Sequence, residues 1–265
     1  VSSAANREHD KFHIVKHISK DVKLTDVTED YCCLGLFGPK SRVMISTISS
    51  DDFSNENFKF GTAKFIKIDN VQIWAQRISY VGELGFELYV KKENALKLFD
   101  ILINKGKTYK ISLCGMHAMD IMRMESGYLH WGHDISPEEN QFEASLNFAI
   151  SFKKNINFIG RAALEKKRDK KDHKKFKMLI LNNSKEGAPL LLHDEPIYLK
   201  DKIVGRTTSG CYSFNYHKNL AFGYINSGLS SEQIDKQAFE IEVEKKKYSA
   251  SVITRPLNDK KLNNL

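Results

Sequence analysis

At 265 residues, 41% of them hydrophobic and 28% charged, with no enrichment in glycine or proline, the chain can bury one large or two ordinary cores, and collagenous or largely disordered chains are excluded. The formal net charge of +8 raises nucleic-acid binding as a class. Lysine is spread along most of the sequence without an arginine and aromatic cluster, which describes an ordinary solvated surface, so no nucleic-acid partner is expected; an anionic small ligand would suit the same field.

No apolar run approaches the roughly 20 residues that a spanning helix needs, and no membrane partner is expected. Cys32, Cys33, Cys114 and Cys211 show no C-x-x-C spacing. Buried free thiols in a reducing compartment are therefore expected in place of disulfides or zinc. The chain opens at Val1 and runs straight into patterned sequence with no signal peptide, so it reads as a piece of something longer.

In chain order, Lys11 to Ile18 reads as a short amphipathic helix through Phe12, Val15 and Ile18. Tyr31 to Phe37 is a strand, and Gly38-Pro39 leads into a helix over K-S-R-V-M-I-S-T-I. Lys64 to Ile68 and Val71 to Tyr80 are strands joined by a hairpin turn at Asp69-Asn70. Glu93 to Asn104 carries Ala95, Leu98, Phe99, Leu102 and Ile103 at helical spacing and would cover the sheet. A second helix covers Met116 to Ser126, ending near Gly127, and a third covers Arg161 to Lys167.

The charge run K-K-R-D-K-K-D-H-K-K that follows has nothing to bury and reads as a solvated helix end and linker. A domain boundary is placed there, giving 1–168 and 169–265. Beyond it, Phe176–Leu181, Ile197–Leu199, Ile203-Val204, Ala221–Ile225, Phe239–Val243 and Tyr248–Ile253 are short strands of a small antiparallel barrel or sandwich. T-T-S-G-C-Y reads as a loop and N-D-K-K-L-N-N-L as a frayed tail. The fold class is α+β followed by all-β.

The stretch Arg77 to Val90, R-I-S-Y-V-G-E-L-G-F-E-L-Y-V, concentrates chemistry. Alternation puts Glu87 and Tyr89 on one face, opposite Phe86 and Leu88, while Gly82 and Gly85 permit backbone angles closed to other residues. Two readings stand: a solvated hairpin rim, or a wall whose carboxylate and phenol grip a planar, nitrogen-rich ligand. His130-x-x-His133-Asp134, with His117, fits no metal-site spacing, and no metal is expected. Ser209-Gly210-Cys211 lacks the partners of a nucleophile. G-x-G-x-x-G does not occur, and the G-K-T at Gly106-Lys107-Thr108 lacks the upstream glycine of a phosphate loop, with Ile101 in its place, so this chain by itself carries no Rossmann or P-loop nucleotide site. Trp131 is either a core plug or a stacking face.

Taken together with L-F-G-P-K-S-R, M-R-M-E-S-G-Y-L-H-W-G-H-D-I, F-E-A-S-L-N-F, F-I-G-R-A-A-L and V-G-R-T-T-S-G-C-Y-S-F followed by L-A-F-G-Y-I, that stretch resembles one family in order and spacing over nearly the whole chain. It resembles the folate-binding half of the dimethylglycine and sarcosine dehydrogenases, itself related to the aminomethyltransferase (T-protein) of the glycine cleavage system. Y-V-G-E-L-G-F-E-L-Y is nearer the dehydrogenase branch.

The resemblance implies part of an aminomethyltransferase-like folate-binding domain followed by a small antiparallel β-barrel. It implies a tetrahydrofolate site lined by Tyr80, with Glu87 on the pterin's amino and ring N–H edge, Leu88 and Tyr89 completing the wall, and Phe148, Trp131 and Arg123 near it. A carboxylate accepts two parallel hydrogen bonds from such an edge. The family's E-A-G-L is E-A-S-L here, with Ser145 in place of glycine.

The resemblance further implies a catalytic aspartate and an FAD domain upstream of Val1, an N-methyl glycine substrate and an electron acceptor protein for the parent, with this fragment inactive alone. The expected compartment is intracellular, cytoplasmic in bacteria and the mitochondrial matrix in eukaryotes. The alternatives are a stand-alone T-protein-like enzyme and a catalytically silent regulatory or scaffold relative.

Overall fold

The computed structural model describes residues 2–168, 170, 173–183 and 185–262. The expected boundary after residue 168, with Asp169, Lys171 and Asp172 of the charge run, falls outside the described residues. The chain resolves into two compact units, one of Val1–Ser79, Glu83–Leu113 and Lys261–Leu265, the other of Tyr80–Gly82 and Cys114–Lys260.

The first unit begins with helix α1 (Arg7–His17), none of whose residues is buried: Phe12 and Val15, the apolar stripe of the expected amphipathic helix, face solvent. Strand β1 (Tyr31–Phe37) follows, then a single helical turn and a half, α2 (Ser41–Ile45), shorter than the expected helix. β2 (Ala63–Ile68) and β3 (Val71–Gln76) form a hairpin whose turn residues, Asp69 and Asn70, both take positive φ, the backbone that a two-residue hairpin turn of the I′ type needs. β3 stops at Gln76, before the expected Tyr80; Arg77 still bonds through its N–H to the Thr62 carbonyl and accepts from the Gly61 N–H, both at 2.9 Å, and its buried side chain donates through Nη1 to the Phe58 carbonyl at 2.7 Å.

β4 (Gly85–Lys91) completes an antiparallel sheet of order β1-β4-β3-β2. One face is dry: Ile66, Ile73, Ala75, Phe86, Leu88 and Val90 pack with Leu98 and Leu102 of helix α3 (Ala95–Gly106). Each of these side chains larger than alanine contributes about 1.5–3 kcal/mol before entropy is counted. Gly85 does not have positive φ; glycine is required there because a Cβ would fall 2.1 Å from Cδ1 of Phe37.

The second unit begins its helices with α4 (Met116–Glu125). Its end is a Schellman cap: Gly127 has φ +73, its N–H reaches the Met124 carbonyl at 3.0 Å, and the Tyr128 N–H reaches the Arg123 carbonyl at 2.9 Å. After α5 (Arg161–Arg168) come six strands: β5 (Lys175–Leu181), β6 (Pro196–Leu199), β7 (Lys202–Ser213), β8 (Lys218–Ile225), β9 (Ala238–Val243) and β10 (Lys246–Ile253), with the capped turn α6 (Ser231–Ile234) before β9.

They close as a barrel, β10-β5-β8-β7-β6-β9, around Leu179, Ile197, Ala221, Phe239, Ile241 and Ala250. α4 packs outside it through Met124, against Phe176, Leu220, Phe222 and Tyr224. This is the architecture that the sequence leads to, an α+β part with a closed antiparallel barrel following it.

Three local expectations fail. T-T-S-G-C-Y is not a loop but the middle of β7, bulged between Thr207 and Ser209, and its hydroxyls are used internally. The tail is not frayed as far as Leu262: Asn258 is buried and donates to the Gly82 carbonyl and to Ser126 Oγ, both at 3.1 Å. Cys33 and Cys114 are exposed, whereas Cys211 is buried; none of the four is in a disulfide.

Candidate functional site

Strand β4 does with Glu87 and Tyr89 what its alternation requires. With Phe86, Leu88 and Val90 fully buried, the intervening side chains stand half-buried on the opposite face. The Tyr89 hydroxyl donates to Glu87 Oε2 at 2.6 Å. Burial and that bond both push the phenol's pKa up, so it stays protonated and remains a donor. Trp74 packs beside Tyr89, ring centroids 5.6 Å apart. One carboxylate oxygen is thus fixed by a phenol, while the other is left to accept from something else. Leu88 points into the core and is paired on both sides, to Leu34 and Ala75, so its side chain takes no part in that face.

The remaining expected residues lie in the second unit. Arg123, 1% exposed, occupies the last turn of α4. Its Nε donates to Asp120 Oδ1 at 2.7 Å, Nη2 to Ser209 Oγ at 2.8 Å, and Nη1 to the Tyr128 carbonyl at 3.1 Å and to Asp134 Oδ2. Burial alone would lower its pKa; Asp134 and Asp120 outweigh burial and raise it. Four of its five N–H donors are thus spent on protein acceptors, and Arg123 organises the 128–135 turn.

Asp134, fully buried, is the other half of that knot. It also accepts from the His130 N–H at 2.9 Å, Thr208 Oγ1 at 2.5 Å and Ser209 Oγ at 2.8 Å, while its carbonyl accepts from the Tyr224 hydroxyl at 2.8 Å. Asp134 was a nominal metal ligand by residue type; its carboxylate is spent on protein donors. The knot holds Trp131 on a turn with its indole 50% exposed, which removes the core-plug reading.

Tyr80 joins the same neighbourhood, its hydroxyl donating to the Leu129 carbonyl at 3.0 Å and its ring stacked on Tyr128 at 6.2 Å. Burial raises its pKa. Phe148 stands apart on a short 3-10 turn, 85% exposed. Ser209 is tied to Arg123 and Asp134, and burial pushes the Cys211 thiol up to about 12, so neither is an activated nucleophile. The knot of Asp134, Thr208 and Ser209 escaped the sequence, since partners 74 and 75 residues apart share no local pattern.

The GCVT N-terminal domain profile matches residues 1–154, and the glycine cleavage T-protein C-terminal barrel domain matches residues 174–259. The chain belongs to the glycine cleavage T-protein family. Human mitochondrial dimethylglycine dehydrogenase is 34% identical over 97% of this chain, which spans 29% of that protein. The aminomethyltransferase of Listeria welshimeri is 31% identical over 97% of the chain, which spans 67% of that enzyme. Among solved structures, the glycine cleavage system aminomethyltransferase T of Bartonella henselae matches with a TM-score of 0.78 at 20% identity, covering 97% of this chain and 67% of that one, a likeness of fold. The chain is thus a T-protein-like domain of a folate-dependent family, whose members include oxidoreductases and aminomethyltransferases. No helix among the described residues is long and apolar enough to cross a membrane.

Proposed function

We propose that this chain holds tetrahydrofolate within a larger, FAD-dependent enzyme of the dimethylglycine and sarcosine dehydrogenase type. That enzyme oxidises an N-methyl glycine and passes the one-carbon unit to tetrahydrofolate, giving 5,10-methylenetetrahydrofolate. The observation that carries the reading is Glu87, half-buried on a sheet face, with Oε2 tied to Tyr89 and Oε1 available. An acceptor-only carboxylate in that state fits the amino and ring N–H edge of a pterin. The likeness to human dimethylglycine dehydrogenase supports the dehydrogenase branch.

FAD would supply the oxidation elsewhere in the parent, passing electrons to an acceptor protein. The residues here bind and orient. In the first unit Glu87, held by Tyr89, fixes the pterin edge; in the second, Tyr80, Trp131 and Phe148 are carried as aromatic candidates by the family resemblance, and Arg123 sets the turn that carries Trp131. Their task is to hold the acceptor nitrogens toward the incoming carbon and keep water away from it. We also propose that the folate-binding and barrel parts divide as 1–168 and 169–265, a reading supported by family profiles that match 1–154 and 174–259.

The test is titration of the full-length protein with tetrahydrofolate, followed by heat or tryptophan fluorescence. Glu87→Ala should weaken binding by about 1.5–3 kcal/mol, the loss of a charge-assisted bond; unchanged affinity would refute the site. Oxidation of dimethylglycine or sarcosine with an artificial electron acceptor then checks the branch. Folate binding without any such oxidation favours a stand-alone aminomethyltransferase, the reading that the Listeria enzyme supports.

A further inference from the structure

The face that presents Glu87 carries a second polar side chain that no motif marks. Register pairs Gln76 of β3 with Glu87, and Trp74 with Tyr89. On the other flank, Gly35 of β1 pairs with Glu87 and Phe37 with Gly85. Directly opposed residues on neighbouring strands hold their Cβ atoms about 4.5–5.5 Å apart, so Gln76 and Glu87 project from adjacent points on the same face.

Phe37 closes one end. Its ring covers both glycines, since a Cβ on Gly35 would lie 2.5 Å from Cε2 and a Cβ on Gly85 would lie 2.1 Å from Cδ1. Tyr89 and Trp74 close the other. Between these rings lie two half-buried polar groups, and among the described residues the Gln76 amide has no hydrogen-bond partner and Glu87 has only Tyr89. Neither side chain is spent on holding the fold, so both are available to a ligand that pairs with the two together.

We propose that Gln76 is a second ligand-reading residue of this site, and that it reads the substituent at C4 of a 2-amino-4-oxopyrimidine ring. The proposal rests on the folate reading of Glu87. The edge of such a ring runs donor, donor, acceptor: amino N–H, ring N–H and carbonyl oxygen. Glu87 supplies acceptors for the two donors, and the Gln76 amide N–H supplies the donor for the carbonyl. An amide can also turn over and accept, so glutamine tolerates an amino group at C4, whereas an acceptor-only side chain would reject the carbonyl form.

The experiment is calorimetric titration of the full-length protein with two probes, tetrahydrofolate and a 2,4-diaminopteridine antifolate, using the wild type, Glu87→Ala, Gln76→Met and Gln76→Glu. Thermal melts of each variant report folding. Gln76→Met should weaken tetrahydrofolate binding about tenfold, the value of one neutral hydrogen bond. Gln76→Glu should weaken it at least as much while holding or improving the diamino probe, so that the preference between the two probes shifts toward the amino form. An unchanged preference in Gln76→Glu, with Glu87→Ala still impaired, overturns the role of Gln76 and leaves the folate reading intact. A folded wild type that binds neither probe overturns both.

Discussion

Strands β4 and β8 are both central strands in antiparallel sheets, and their side chains are spent differently. Along β8 every residue after Lys218 is buried. Ala221 and Ile225 fill the barrel, while Leu220, Phe222 and Tyr224 on the other side meet Met124 of α4. Along β4 burial alternates, with Phe86, Leu88 and Val90 in the core and Glu87 and Tyr89 half-exposed. The opposite face of that sheet keeps Trp74 at 38% and Phe65 at 63% exposure. Folding explains both faces of β8 and only one face of β4. Side chains that folding does not explain are where ligand chemistry belongs.

Unequal costs of substitution are the sharpest way to break this contrast. In the barrel unit, Arg123→Met leaves the carboxylate of Asp134 buried without its cation, and should cost about 3–5 kcal/mol in urea unfolding. Adding Asp134→Leu should return part of that loss, since removing both charges spares the uncompensated one. On the open face, Glu87→Gln should change stability by no more than about 0.5 kcal/mol, as for an ordinary surface position. A Glu87→Gln cost close to that of Arg123→Met would make the sheet face structural and remove its claim to a ligand.

The same contrast explains what was legible in the sequence. Periods of two read β4 and β3 as far as Gln76, because each has a buried face that repeats locally, and short apolar runs placed the barrel strands apart from most of β7. Asp69-Asn70 was legible because few residues tolerate paired positive φ. T-T-S-G-C-Y was misread because its small polar residues look like a turn, and the acceptor that makes Thr208 and Ser209 welcome in a strand is Asp134, far away in sequence. Asn258 looked like tail for the same reason, its partners Gly82 and Ser126 lying 176 and 132 residues off. Gln76 lay in plain view in a predicted strand, but only the register of β3 on β4 puts it against Glu87. Local pattern reveals which face is buried; it cannot reveal which residue is next door.

A smaller effect probes the loop between these regimes. Ser145 takes φ 60, the left-handed region, at an exposed position where the family pattern E-A-G-L has glycine. Its Cβ makes that backbone cost about 1–2 kcal/mol. Ser145→Gly removes the strain but gives the unfolded chain more freedom, which offsets about half of the gain. A net stabilisation of about 0.5–1 kcal/mol should appear as a higher urea midpoint with unchanged slope. A lower midpoint would mean that the serine side chain stabilises the loop by more than its backbone strain costs.

The smallest effect is a pH dependence carried by the turn that Asp134 holds. Burial lowers the His130 pKa, and the neighbouring His133 ring and Arg123 guanidinium push the same way, against Asp120 and Asp134. A histidine whose folded pKa lies below its ordinary value of 6.5 binds fewer protons folded than unfolded. The sign is then fixed: its contribution is neutral above that value, and stability falls as the pH drops below 6.5 toward the folded pKa. His130→Gln keeps the main-chain bond from residue 130 to Asp134 while deleting the titration. Urea midpoints measured from pH 8 down to pH 5.5 should therefore fall less steeply in the variant than in the wild type below pH 6.5, and should run parallel above it. Parallel curves throughout would mean that the ring charges as easily folded as unfolded, so that the turn around Asp134 is more open to water than its geometry implies.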